Sequence, residues 1–459
     1  MKKIMALVLV LTLIFTLTAC SSSNTVPANA VSPSQSTSKS GDEPSTATNV
    51  KQNSAISSNT ISVEYDSDDL DSSLSSADMS YIILEGNSIT LNGDGAVVDG
   101  NQIAITSAGT YSISGTLDDG QIRVNTKDKE TVKLILNGVN ITCSNSSPIY
   151  VKNAKKTVIT LADSTNNFVT DGDSYLVEDS FIEDSESIEP NAAVFSKDDL
   201  TINGNGSLTV NANYNNGIQS KDDLKITGGD ITVNAVNDGI KGRDSIAVKD
   251  MNITVNAGAD GMQSNNDKDS EKGYISIESG TINITAGEDG IQAVTSLIIS
   301  GGNITISSGG SSVNSSSSSG SAKGLKAAVD ITIEGGTINI DSSDDSIHSN
   351  DSLTINGGNI ILASGDDGIH SDSTLEINGG DISITKCYEG IDSEVITIND
   401  GNIHLVASDD GMNSAVGNGG FPMRGQPGQK KNFNASGDNY LYINGGYIVI
   451  DATGLAINR

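Results

Sequence analysis

The chain has no tryptophan, and aromatic residues make up only 4% of its 459 positions. The planar aromatic platform common among sugar-binding modules therefore cannot be its main device. Cysteine is scarce, with Cys20 behind an apolar leader and Cys143 and Cys387 in apolar strand contexts, so a disulfide framework is excluded. The last two read as small buried residues. Lys and Arg number 26 against 58 acids, a formal charge of −32, which argues against a nucleic-acid partner. Prolines are few (7) while glycines are many (49), a balance that suits recurring tight turns between unbroken strands.

No segment offers the i, i+3, i+4 apolar pattern of a helical repeat. What recurs instead is a Gly-Ile step (Gly-Met or Gly-Leu in three repeats), at Gly217, Gly239, Gly261, Gly290, Gly324, Gly368, Gly390 and Gly411, with Ser346 in the same slot. The undisturbed spacing is 22 residues. Between steps the apolar residues alternate with period 2, as in Ile331, Ile333, Ile338 and Ile340, and they are mostly β-branched. Fixed self-similarity of this length predicts an all-β solenoid, a parallel β-helix whose coils bury their apolar residues by stacking. Strand-like alternation starts near Tyr81-Ile82-Ile83-Leu84, and the first turns are irregular, as the end of a solenoid requires. Insertions at 265–273, 309–321 and 415–439 adjoin the Gly-Ile turn and are expected to project from related sides, while 163–190 reads as a solvated acidic loop. The chain ends four residues after Gly454-Leu455, in mid-coil, so a truncated or externally capped end is expected.

The first residues set the location. Met1-Lys2-Lys3 followed by an apolar stretch from Ile4 to Leu17 is too short to span a membrane. Leu17-Thr18-Ala19-Cys20 reads as a lipoprotein signal box, with Cys20 the lipidation site; an ordinary secretory signal is the alternative. Two acyl chains suffice for stable anchoring. Residues 20–77 are rich in Ser, Thr and Asn and read as a flexible tether, which leaves 78–459 as the β-helix. The expected molecule is extracytoplasmic and monomeric, facing the wall or exterior, with a membrane contact through its lipid alone.

Acids crowd the Gly-Ile turn: Asp238, Asp260, Asp289, Asp345, Asp367 and Asp410 precede the step, and Asp344, Asp366 and Asp409 stand one position earlier. Equivalent positions in successive coils lie about 4.8 Å apart. Two carboxylates that close repel by roughly 3–4 kcal/mol at an effective dielectric of 20. Cations between them would relieve this. Hard oxygen ligands without clustered His or Cys favour calcium, which a pair of such carboxylates can bracket. One site is expected near Asp238, Asp260 and Asp289 and another near Asp345, Asp367 and Asp410, with the Lys323 ammonium between. The plainer alternative is turn chemistry: Asp tolerates the left-handed region and bonds its own backbone. Two positions after the glycine runs a polar row, Gln263, Gln292, Lys326, His348, His370, Asp392 and Asn413, expected to face solvent and to hydrogen-bond the hydroxyls of an extended glycan.

Several runs resemble one family: Val97 to Asp99, Ala108-Gly109-Thr110-Tyr111, Leu134 to Val139, Pro148-Ile149-Tyr150 and, most specifically, Ser196-Lys197-Asp198-Asp199-Leu200 within Phe195 to Leu200. The chain is similar, over roughly 78–458, to clostridial-type carbohydrate-binding domain-containing cell-surface lipoproteins. That resemblance implies a right-handed β-helix like that of polysaccharide lyases, with bound calcium, binding cellulose or polygalacturonate without known cleavage. A pectate-type lyase remains the alternative, and Arg243 beside Lys241, Asp238 and Asp260 is the one constellation resembling its base. A surface adhesin with a protein partner shares every scaffold feature.

Overall fold

The computed structural model describes residues 61–76, 78–176, 189–314, 321–414 and 439–458. The leader, Cys20, the tether up to residue 60, much of the acidic loop and most of the last two insertions lie outside the described residues. Among the described residues the chain forms one 39-stranded, mostly parallel β-helix. Each coil passes through three sheets. Strands such as Ile347–Ser349 build the short sheet, Ser352–Ile355 the middle sheet and Asn359–Ser364 the long sheet. In-register pairing stacks Ile347 on Ile369 and Ile369 on Ile391, and Leu353 on Leu375 in the next sheet.

The periodic isoleucines do what their alternation dictates. Ile218, Ile240, Ile291, Ile347, Ile369 and Ile391 are fully buried in one continuous core. Burying each such side chain contributes about 1.5–3 kcal/mol. Two of the serines at the end of the short strand return their hydroxyls to the backbone, whereas Ser393 and Ser414 further along have no hydrogen-bond partner among the described residues. The hydroxyl of Ser349 donates to the Val329 carbonyl (3.0 Å) and that of Ser371 to the Asp351 carbonyl (2.8 Å). Outside, amide ladders fix the register: Asn378 donates to Asn356 (2.9 Å), Asn399 to Asn378 (2.7 Å) and Asn444 to Asn399 (2.7 Å).

The N-terminal end departs from the repeat as expected. Ser80–Gly86 pairs antiparallel with Ile89–Asn92, and Ala96–Asp99 with Gln102–Ile105, folding hairpins over the first coil. At the other end Leu441, Ile448 and Ile450 pack on the core while Ile443, Tyr447 and Ile457 stay exposed. Cys143 and Cys387 are free and buried.

Residues 61–76, which composition assigns to the tether, lie along the flank of the middle sheet. Asp66 caps a short helix, Ser67–Leu70, by accepting from the Asp68 and Asp69 amides. Asp69 is fully buried, ion-paired to Lys156 and, at 2.9 Å, to Lys225, and it accepts from the Thr201 hydroxyl at 2.6 Å. Lys133 pairs with Asp71 at 2.9 Å, and the Lys249 ammonium lies 3.9 Å from the Tyr65 ring centroid. Asp66 and Asp69 share Lys156, while Asp71 has Lys133 and Asp68 accepts from the Thr131 hydroxyl.

Candidate functional site

The turn acids and the polar row are one structure. Register pairs Gln263 with Gln292, Gln292 with Lys326, Lys326 with His348, His348 with His370, His370 with Asp392 and Asp392 with Asn413, so all seven row residues line up on the short sheet. The row points outward but is half-buried, because most of its members reach back to the acid three residues before them. Lys241 meets Asp238 (2.7 Å), Gln263 meets Asp260 (2.5 Å), His348 meets Asp345 (2.8 Å) and His370 meets Asp367 (3.1 Å). Lys326 instead crosses to Asp289 in the preceding coil at 2.7 Å, and Asn413 to Glu389 at 2.9 Å.

The other carboxylate oxygen binds the following coil. The Asp260 amide donates to Asp238 Oδ1 (3.3 Å), the Asp289 amide to Asp260 Oδ1 (2.9 Å), the Lys323 amide to Asp289 Oδ1 (2.8 Å) and the Asp367 amide to Asp345 Oδ1 (3.0 Å). Asp410 accepts from the Leu455 amide (2.7 Å) and the Asn458 side chain (2.8 Å). This corrects the turn-chemistry alternative. Among the described residues only Ser164, Asp250 and Ser311 are non-glycines with positive φ, so these aspartates are not in the left-handed region. They tie coil to coil instead.

The ladder's charge is answered unevenly. Asp238, Asp260 and Asp289 are almost fully buried. Lysines serve the outer two, whereas Asp260 has amides: Gln263, and Gln292, which with its side-chain amide turned about bridges Asp260 Oδ2 (3.0 Å) and Asp289 Oδ2 (2.9 Å). Burial, then the charges of Asp289 and Asp238, push the Asp260 carboxyl up to about 7. One level on, the Lys323 ammonium sits 2.7 Å from Asp344 and 2.8 Å from Asp345. Burial opposes ionisation of Asp345, but His348 and Lys323 outweigh it and hold the carboxyl well below the usual range. Asp366 is pushed up by burial and by Asp345 and Asp344. Burial also raises the Asp367 carboxyl; Asp367 and Asp392 in turn overcome the burial of His370 and lift its imidazole to about 11. Both partners move upward, so the Asp367–His370 pair holds a proton through neutral pH.

Among the described residues two trios bring ligand atoms within 4.8 Å of one another: Asp344, Asp345 and Asp366, and Asp367, His370 and Asp392. The grouping differs from the sequence expectation. Asp345 and Asp367 fall into different trios, Asp409 and Asp410 join neither, and Asp238, Asp260 and Asp289 form no such set.

Reaching back to the acids is a spacing the sequence does contain. Asp-Gly-Ile-Lys and Asp-Gly-Ile-His put acid and donor three apart, in one coil. The lyase-like constellation comes apart. Lys241 is tied to Asp238, while Arg243 lies 3.3 Å from Asp244 at the opposite end of the short strand.

The model of the family described as carbohydrate-binding domain-containing protein matches residues 99–368. The chain belongs to that family. A curated carbohydrate-binding domain-containing protein of Acetivibrio thermocellus is 50% identical over 144 residues, 31% of this chain and 49% of that protein. The chain thus spans about half the length of this relative. A solved structure described as the polysaccharide lyase-like protein from C. thermocellum, gadolinium derivative, is 35% identical, covering 65% of this chain and 96% of that one with a TM-score of 0.44. The row on the short sheet presents polar groups at one-coil intervals.

Proposed function

We propose that this carbohydrate-binding domain protein is a non-catalytic, calcium-stabilised binder of plant-wall polysaccharide of the cellulose or polygalacturonate type, held at the cell surface through Cys20. The observation that carries the reading is the row from Gln263 to Asn413. Its in-register side chains repeat about every 4.8 Å, a regular line of donors and acceptors on which an extended glycan can lie. The insertion at 265–273 leaves the short strand right after Ser264, at one edge of this row, as a wall for a long ligand would.

Calcium fits one trio better than the rest of the ladder. Asp344, Asp345 and Asp366 offer only oxygen, the donor that calcium takes, and like charges press on Asp366. Lys323 holds one side of Asp344 and Asp345, so an ion would sit on the Asp366 side. At Asp238, Asp260 and Asp289 the oxygens accept from backbone amides, lysines and glutamines, and calcium has no part there in this proposal.

The test is a pull-down on insoluble cellulose and on immobilised polygalacturonate, in calcium and in chelator. The carboxylate-rich surface repels a polyuronate unless calcium bridges the two, so binding to polygalacturonate should vanish in chelator. Binding to cellulose should persist in moderate salt and weaken on Lys326→Ala. Incubation with polygalacturonate and calcium at alkaline pH should yield no unsaturated product absorbing in the ultraviolet. Product that appears and is lost in Arg243→Ala would replace this reading with a lyase. Calcium should also raise the melting temperature, with the shift growing as the logarithm of free ion. Asp366→Asn should shrink that shift and Lys323→Ala should enlarge it; indifference of the wild type to chelator ends the calcium part. Radiolabelled fatty acid should enter the chain in cells and be lost in Cys20→Ala.

A further inference from the structure

We propose that His370, Asp367 and Asp392 form a second metal site, for a divalent transition ion of the zinc or cobalt class, separate from the all-oxygen trio. His370 Nδ1 lies 3.1 Å from Asp367 Oδ2 and 3.3 Å from Asp392 Oδ2. Its other nitrogen, Nε2, is 3.0 Å from Asp372 Oδ1. These are the contacts of an imidazolium whose two N–H groups face carboxylates; an ion bound at Nδ1 would take the place of the proton there and leave the Nε2–H on the Asp372 carboxylate. That carboxylate–imidazole–metal order is the usual support of a histidine ligand. With the Nδ1 proton displaced, its lone pair and two carboxylate oxygens converge on the place an ion would take.

Two further observations point to a ligand. Asp392 Oδ1 is shielded from solvent and has no hydrogen-bond partner. A buried carboxylate oxygen without a donor is costly, and a metal ion beside it removes that cost. The neighbouring histidine provides the contrast. His348 stacks on His370 with ring centroids 4.7 Å apart, yet its Nε2 meets the neutral Asn350 amide (3.0 Å) and its Nδ1 meets Asp345, which already has the Lys323 ammonium at 2.8 Å. His348 stands where a fixed cation exists. His370 stands among three carboxylates, none of which has a lysine or arginine ion-pair partner among the described residues. An imidazole nitrogen with two carboxylates suits zinc, cobalt or nickel, whereas calcium prefers oxygen alone. The His370 side chain retains 21% and Asp392 15% of their exposure, enough for an ion to enter and keep water at its open positions.

Cobalt(II) is the probe, titrated into the untagged chain after chelator has been dialysed in and out. The expected result is a single ion per chain with visible d–d absorption, undiminished by a large excess of calcium. His370→Gln and Asp392→Asn should each abolish the band while thermal unfolding shows that the fold is kept. His348→Gln should leave it, and Asp372→Asn should weaken affinity by about 10–100-fold. Asp366→Asn, which weakens the calcium trio, should not touch it, so failure here and failure of the calcium reading are separable. The proposal is overturned if the wild type shows no band, if binding survives His370→Gln, or if calcium displaces cobalt ion for ion. In the first case His370 is a protonated counter-ion and nothing more.

Discussion

At the scale of single residues, the turn aspartates serve as connectors whose charge is a liability where no cation meets it. Asp260 is the clearest example, because the equivalent position two coils earlier holds Asn216, whose Oδ1 accepts from the Asp238 amide (3.1 Å) and whose amide donates to Gln219 (2.9 Å). An amide can therefore do the same connecting work. The folded-state carboxyl of Asp260 sits at about 7, above its ordinary value of 3.8. A raised acid favours the fold fully below the unfolded value, and that contribution is lost as pH rises from about 4 through about 7. Asp260→Asn should consequently raise the melting temperature above pH 7, by the equivalent of about 2–4 kcal/mol at most, and change little near pH 4. Thermal scans in chelator at the two pH values check it; a variant that is less stable at pH 8 would show that the charge itself is needed. The acids were legible in the sequence as a ladder. Their partners were not, because a stripe residue pointing outward reads as solvent-facing until its contact with the acid three residues back is seen.

At the scale of the strand and turn, glycine in the Gly-Ile step is required by crowding rather than by backbone conformation. A Cβ on Gly261 would lie 2.4 Å from Ile284 Cγ2 and 2.5 Å from the Gly290 carbonyl oxygen. Glycines at the next corner differ: Gly358 has φ 109° and needs the absent side chain for its conformation. Gly324 would meet the β-branched Cγ2 of Ile340 at 2.3 Å, whereas sixteen residues beyond Ser346 the chain carries Leu362, which has no branch at Cβ. A leucine alone does not open the slot, since Leu405 would still meet a Cβ on Gly390 at 2.2 Å, and nothing in the structure explains the one serine the step accepts. Gly261→Ala should destabilise by about 1–3 kcal/mol, as overpacking does, and Ser346→Gly by much less. Denaturant melts of the two variants side by side decide it, and equal losses would reject the steric account. The isoleucine periodicity made the three-sheet coil readable from sequence, since a period of 2 assigns each side chain to a face. The crowding at the glycine was not readable, because the side chain that causes it stands in another sheet of the coil.

For the whole molecule, the strap is the largest departure from what composition suggested. Glu64, Tyr65, Asp66, Asp69 and Asp71 sit in an Asp- and Ser-rich stretch that looks like tether, and the groups they meet are Lys133, Lys156, Thr201, Lys225 and Lys249, far along the chain. No local pattern joins them. Asp69→Ala would leave two lysines facing a buried position without their anion, costing about 3–5 kcal/mol as broken buried pairs do. Limited proteolysis should then cut within 61–76, where the wild type resists; equal resistance would show that the strap is held by other contacts. The same strap bears on mechanics. A pull on residue 61 meets the cylinder on its side, several coils in, and is shared among ion pairs loaded together in shear. The hairpins at the tip are spared from being peeled open one strand at a time, so the first coils need not be the strongest for the molecule to resist tension.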